Sequence, residues 1–353
     1  MASLTQTSIV SRRIIRYGVY IVILIIILRY AYQGGLAIYR RFYPPAPPPP
    51  TVPFKELTKL PFPEKGRPEN LNYTLETPEG GLPELPPQAE VYSMPSPQAN
   101  IQALEAAKQL AQRLGFNPDG RLILENVPNV YIFNKEHFPS TLTMNIVTGV
   151  FSMGYDINSD PSVIGELPPA PEEATEFAKS YLGSAGLLTE DLKTGTVTHE
   201  FLKIEAGNLV SAISLSEADV IKINLFRKNL GGDPGYPSIT AQMPEANTWF
   251  ILSGGQRRQI IAAEYHYYPV DESKFGTYPI KTSEVAWEEL KRGEGFIVNL
   301  GNNPEGKITV RRVYLAYYDP GQSTEFYQPI IVFEGDNGYL AYIPAVTEEF
   351  YPK

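Results

Sequence analysis

FIVNLGNNPEGKITVRRVYLAYYD, residues 296–319, can be read in two ways, and the choice decides what the C-terminal region is. Gly301, Gly306 and Lys307 have the spacing of a phosphate-binding loop behind a short apolar run, but Ile308 stands where the magnesium-binding Ser or Thr belongs. Such a loop grips phosphate with backbone amides at the start of a helix, so a helix must come after the lysine. Lys307 instead leads into ITVRRVYLAYY, β-branched and aromatic, which predicts a strand. Glu305 inside the loop would also repel a phosphate. The stretch therefore predicts a hairpin connection and no nucleotide site.

Working outward, TSEVAWEELKRG (residues 282–293) predicts a short helix capped by Thr282 or Ser283. Glu284 lies in its first turn, Lys291 and Arg292 in its last, and Gly293 ends it. Val285, Ala286, Trp287 and Leu290 are its apolar residues, so the buried face is expected to centre on Trp287. Glu288 and Glu289 are then left for solvent. FYQPIIVFEG and GYLAYIPAV come next as strands joined at Asp336-Asn337-Gly338.

The same pattern occurs twice upstream. PQANIQALEAAKQLAQRLGF (97–116) predicts a helix with Ile101, Leu104, Ala107, Leu110, Ala111 and Leu114 on one face. RLILEN, NVYIFN and TLTMNIVTGVFSMGY follow as strands, with a turn at Thr148-Gly149. PEEATEFAKSYLGSAGL (171–187) predicts a helix with Pro171 at its first position. Strands around HEFLKIEAG, DVIKINLFRKN, SITAQM, TWFIL and QIIAAEYHYYP come next, the last two turning at Ser253-Gly254-Gly255. A helix followed by antiparallel strands, three times, is an α+β architecture with expected modules at 97–168, 169–280 and 281–353.

The N-terminal region is different. YGVYIVILIIIL (17–28) is uncharged, and extending it to residues 14–32 gives a segment of about 28 Å, enough to cross a bilayer. Arg16 and Arg29 near its ends can snorkel, and Tyr17, Tyr20, Tyr30 and Tyr32 can supply interfacial belts. A cleaved signal peptide competes with this reading, but Gly35-Leu36-Ala37 is a poor cleavage pattern, so an uncleaved anchor is expected. Three arginines lie on each side of the apolar run, so charge does not orient it. A short cytoplasmic tail (1–13) with the long domain outside is the expected orientation. Sixteen of the 33 prolines fall between residues 44 and 97, which predicts a juxtamembrane stalk with an extended, docked part over 33–96.

Composition narrows the function. The 353 residues contain no cysteine, so thiolate catalysis, thiolate metal sites and disulfides are excluded. His137, His199 and His266 form no ligand-spaced pair. Residues 1–42 hold six arginines and no acid, which leaves the remainder with 24 basic and 39 acidic side chains, a formal charge of −15. A body so acidic repels nucleic acid, while the basic start suits an anionic membrane surface.

Three further signals resemble sites. DINSDPSVIGE (156–166) matches a calcium loop at Asp156, Asn158 and Asp160, but Pro161 replaces the turn glycine and Leu167 stands at the twelfth position, one past Glu166. A polar loop is expected. Glu264 and His266 share a strand face and can pair, with no nucleophile in sight. Tyr265, Tyr267, Tyr268, Tyr314, Tyr317 and Tyr318 read as strand formers with hydroxyls at a sheet rim, the alternative being a protein-binding face. No catalytic, cofactor-binding or metal-binding residue is assigned.

AWEELKRGEGFI, VRRVYLAYYDP, FYQPIIVFEG and GYLAYIPAV resemble the C-terminal half of YycH/YycI-type bacterial proteins, as does SITAQM…WFILSGGQRRQIIAAEYHYYPVD. The alanine-faced helices ending in LGF and GLL resemble PepSY-like modules, and together the likeness covers about residues 98–346. It implies a single membrane helix, an extracytoplasmic body and regulation by contact with an envelope partner. The proline-rich stalk and the extra N-terminal module depart from that family, so its partner is not carried over. The expected function is a membrane-anchored body that binds a protein or envelope component, without a reaction. A structural subunit of a surface assembly and an envelope hydrolase with a dispersed site are the alternatives.

Overall fold

One long helix, α1 (Leu4–Phe42), dominates the first of two units, residues 1–49, in the computed structural model; the second unit is residues 50–353. The structure describes residues 4–42, 48–64, 66, 71–122, 128–232, 234–255, 259–303 and 306–352. Thirty-nine residues give α1 a length of about 58 Å. Within it, Arg16–Leu36 has a mean hydropathy of 1.7 over 21 residues, long and apolar enough to span a bilayer. The helix runs ten residues past the expected end at residue 32. Gly34 and Gly35 only weaken a helix, and no proline stands before Pro44 to stop it.

The second unit is mixed α+β and mostly sheet. Among the described residues its largest sheet has nine antiparallel strands. They lie in the order Arg121–Leu122, Val130–Asn134, Ser140–Asn145, Phe151–Tyr155, Ile260–Tyr265, Thr248–Ser253, Val220–Leu225, Val197–Glu205, Asn208–Ser211. Two helices, α2 (Ala103–Arg113) and α3 (Pro171–Ala185), contribute Ala107, Ala111, Ala174 and Ala178 to one core with Phe133, Phe250 and other residues of this sheet. Small alanine side chains let a helix approach the pleated surface closely. Leu110, Leu114 and Leu182 fill what the alanines leave open. Helix α2 begins later than expected, and Ile101 lies in the turn before it, fully exposed.

The second sheet has the order Asn72–Leu75, Lys307–Asp319, Pro329–Gly335, Leu340–Pro344, Phe296–Asn299. Its 13-residue strand Lys307–Asp319 is flanked on one edge by two short parallel strands, Asn72–Leu75 and Ser238–Thr240. A three-stranded sheet places Gln88–Ser93 between Asp271–Pro279 and Phe326–Tyr327.

Several expectations change at this level. The strand Phe296–Asn299 pairs with Leu340–Pro344 and not with Lys307–Asp319, so these two strands are not partners in a hairpin; Pro304 and Glu305 between them lie outside the described residues. Asn302 donates its amide to the Asn337 carbonyl at 3.1 Å and Asn303 Nδ2 to the Asp336 carbonyl at 3.3 Å, holding these two residues against the Asp336–Gly338 turn. A strand does begin at Lys307, and Ile308 is fully buried in the sheet.

The three expected modules are not separate sheets. Phe151–Tyr155 pairs with Ile260–Tyr265 across the expected 168/169 boundary, and Ser238–Thr240 joins the C-terminal sheet. Local periodicity specifies most of the helices and strands, but an unpaired edge takes whichever partner the chain brings to it. The segment expected as a stalk over 33–96 is divided: residues 33–42 continue α1, and 43–47 lie outside the described residues. From Pro50 onward the segment belongs to the second unit, with Leu57, Leu60 and Val91 buried and two of its stretches acting as strands. Phe62 stacks on Phe296 with ring centres 4.9 Å apart.

The short helix α4 (Glu190–Thr194) supplies Asp191 to a buried ionic cluster. Arg227 donates from Nε to Asp319 Oδ2 at 2.8 Å, from Nη1 to Asp191 Oδ2 at 3.0 Å and from Nη2 to the Tyr268 carbonyl at 2.5 Å. Its guanidinium lies 4.2 Å from the Tyr267 ring centre. The cluster links the strand Val220–Leu225 to the end of Lys307–Asp319, tying two sheets together.

The tyrosines do not form a wet rim. Tyr265, Tyr268, Tyr317 and Tyr318 are buried, with Tyr265 donating to the Leu187 carbonyl at 3.0 Å and Tyr317 to the Glu90 carbonyl at 2.8 Å. Burial raises the pKa of each of these phenols.

On helix α5 (Ser283–Arg292) the Thr282 hydroxyl accepts from the Val285 amide at 3.4 Å, and Gly293 at φ 94° takes the left-handed turn that ends it. Its buried face is Ser283, Ala286, Glu289 and Leu290. Val285 is exposed and Trp287 only half-buried, packing on Tyr73 and Phe333. Glu289, expected in solvent, instead receives the Lys281 ammonium at 2.8 Å.

Candidate functional site

Strand periodicity builds a polar cleft on the nine-stranded sheet. Ile223, Phe250 and Ala263 point into the helix-covered core, so their neighbours Lys222, Trp249 and Glu264 emerge on the opposite face. The register sets Trp249 opposite Glu264 on one side and Asn224 on the other. Residues 241–247 fold over this face. The Ala246 amide donates to Asn224 Oδ1 at 3.1 Å, and the Thr240 hydroxyl to the Glu245 carbonyl at 2.6 Å. The result is a cleft of about 290 Å³ lined by Gln242, Glu245, Asn247, Trp249, Glu264 and His266, with Pro320 and Gly321 at its side.

The Glu264–His266 pair expected from strand spacing is present. His266 Nε2 lies 2.8 Å from Glu264 Oε2, and the His266 amide donates to the Asn247 carbonyl at 2.9 Å. Asn247 Nδ2 donates to the Asp319 carbonyl at 3.0 Å. Gly321 is needed beside it, because its φ is +61° and a Cβ there would sit 2.6 Å from Asn247 Oδ1. Lys222 pairs with Glu245 and places its ammonium 4.2 Å from the Trp249 ring centre.

The Glu264 hydrogen bond raises the His266 pKa above its ordinary 6.5; burial works against it, and the Glu264 charge and a backbone hydrogen bond at Gly321 assist. Because the folded-state value is raised, the stabilisation from this pair is complete at pH below 6.5 and is lost as pH rises through the higher folded value. Glu264→Gln is expected to bring the imidazole back toward its ordinary value and remove that pH slope. NMR titration of the three histidines checks this. A His266 pKa unchanged by the substitution would mean the carboxylate does not hold the ring.

The other sequence signals fall elsewhere. Asp156 Oδ1 accepts from the Asn158 amide at 3.1 Å, and Asp160 Oδ1 from the Ser162 amide at 3.2 Å. Tyr155 donates to Asp160 Oδ2 at 2.7 Å, and burial pushes this phenol up to about 12. The carboxylates at the first and third matching positions are thus engaged by their own turn. His199 packs on Phe201 and His137 occupies a turn at φ 63°, both remote in sequence from the cleft.

Sequence reading missed Trp249, Glu245 and Asn247. The available signal was the turn at Ser253-Gly254-Gly255, from which counting back along the hairpin brings Trp249 toward Glu264. A register shift between Ile251 and Leu252 spoils that count.

Among the described residues, the lining offers amides, carboxylates, an imidazole and an indole. The arrangement suits holding a polar ligand.

The chain matches no family model and none of the curated proteins. Among solved structures, it is similar to an uncharacterised protein from Eubacterium rectale at 14% identity, covering 74% of this chain and 84% of that one with a TM-score of 0.39. A likeness at that level carries no argument about function.

Proposed function

We propose that this is a single-pass membrane protein, anchored by the apolar part of α1, whose body is extracytoplasmic and binds a protein or a component of the cell envelope. The observation that carries this reading is the Arg16–Leu36 segment, a largely apolar 21-residue stretch of helix followed by an acidic, sheet-rich body. The role is regulation or assembly through contact. The alternation of alanine-faced helices and antiparallel strands supports a relation to PepSY-like and YycH/YycI-type bodies, in which the binding surface and not a reaction centre is the working part. Residues 50–353 gathering into one unit fit a body carried as a whole by its anchor.

Anchoring is tested by alkaline carbonate extraction of membranes from cells expressing the full chain or a form lacking residues 1–49. The full chain is expected to stay in the pellet and the truncated form in the soluble fraction. A full chain released by carbonate would overturn the anchor.

A further inference from the structure

We infer that the Trp249–Glu264–His266 cleft binds a neutral saccharide, presented as a short stretch of glycan. The inference rests on the body being a binding module and names a ligand class for it.

The lining eliminates other classes by chemistry. An anionic ligand would meet Glu245 and Glu264, while the cations beside them, Lys222 and His266, are already paired with those carboxylates. A cationic ligand would need an open aromatic face, but Lys222 stands over the Trp249 ring. It would also face His266, an imidazole that Glu264 holds toward its charged form. A purely apolar ligand would strand Gln242, Asn247 and both carboxylates without water.

A sugar ring fits what remains. Each hydroxyl both donates and accepts, and the lining supplies planar groups of both kinds: Gln242 and Asn247 amides, Glu245 and Glu264 carboxylates, and the His266 imidazole. Trp249, half-buried and locked by its strand, lines the cleft with the part of its indole that the Lys222 ammonium leaves uncovered, apolar surface for the sugar's C–H groups. At about 290 Å³ the cleft lies near the ~300 Å³ lower end of small-molecule sites, which suits a short glycan segment. The Glu264–His266 bond and the Asn247–Asp319 bond fix three of the polar groups before a ligand arrives, which lowers the cost of ordering them.

The test uses the full chain in a polyoxyethylene detergent, which has no sugar headgroup to compete. The protein has two tryptophans, so Trp287→Phe leaves Trp249 as the only indole reporter. Neutral trimers of glucose, N-acetylglucosamine and mannose are titrated separately, with trigalacturonate as the anionic comparison. At least one neutral trimer is expected to shift the Trp249 emission saturably, and trigalacturonate is expected not to. In the otherwise native chain, followed by calorimetry, Glu264→Gln is expected to weaken that trimer roughly tenfold or more. Gln242→Ala, at an exposed position that does not threaten folding, is expected to weaken it several-fold. No saturable change with any neutral trimer, equal binding of trigalacturonate, or binding indifferent to both substitutions would overturn the inference. These outcomes are separate from sidedness: a cytoplasmic body that binds a trimer removes the envelope reading alone, and an extracytoplasmic body that binds none removes this one alone.

Discussion

Arg227→Met is expected to destabilise the body by about 3–5 kcal/mol, because removing one member of a buried ionic cluster leaves the others uncompensated. Arg227 is 3% exposed, and the side chains of its partners Asp191 and Asp319 are 14% and 8% exposed. Tyr267 also donates to Asp191 at 3.0 Å, but a phenol cannot replace a guanidinium's charge. Asp319 has no second cation in contact among the described ion pairs. Thermal unfolding should show a midpoint lower by roughly 5–10 °C. The triple change Arg227→Met, Asp191→Asn, Asp319→Asn is expected to recover much of the loss, since no bare charge is then buried. A single Arg227→Met change costing under about 1 kcal/mol would mean the cluster is hydrated and does not lock the sheets.

Adjacent glutamates on α5 should behave in opposite ways. Glu289→Ala leaves the Lys281 ammonium, 8% exposed, without its carboxylate and is expected to cost about 3 kcal/mol or more. Glu288→Ala removes only a surface contact to Lys291, 56% and 39% exposed, and is expected to cost a few tenths of a kcal/mol. Equilibrium denaturation of the two variants side by side reads the difference as a shift in midpoint. Equal midpoints would place Lys281 and Glu289 in solvent. Trp287→Ala falls between the two, because that ring is half-buried against Tyr73 and Phe333 and does not anchor the helix.

What the sequence made legible was local. Pro171 begins α3 as its position demands, Thr282 and Gly293 bound α5, and Asp336-Asn337-Gly338 turns between paired strands. Misreadings arose where a distant partner decides. FIVNL and KITVRRVYLAYYD are both strands, but nothing within them says that Leu340–Pro344 and Pro329–Gly335 lie between them in the sheet. Glu289 looks like a surface acid until Lys281 is brought beside it. The tyrosine hydroxyls find carbonyls of Leu187 and Glu90, which no spacing rule could supply.

The cleft was half legible for the same reason. Glu264 and His266 are two apart on one chain, so their pairing follows from strand geometry. Trp249 and Glu245 reach them only through the hairpin register and the fold of residues 241–247.

The most direct test of the account is the side of the membrane on which the body lies. Native sequence contains no cysteine, so single cysteines report without background. Ile213→Cys places one at a position 92% exposed in the body, and Ser8→Cys places one near the start of α1. A membrane-impermeant maleimide is applied to intact cells, in spheroplast form where an outer layer blocks it, and to lysed cells. Labelling of the Ile213→Cys protein is expected in intact cells, and of the Ser8→Cys protein only after lysis. Ser8→Cys labelled in intact cells, with Ile213→Cys protected until lysis, would contradict it.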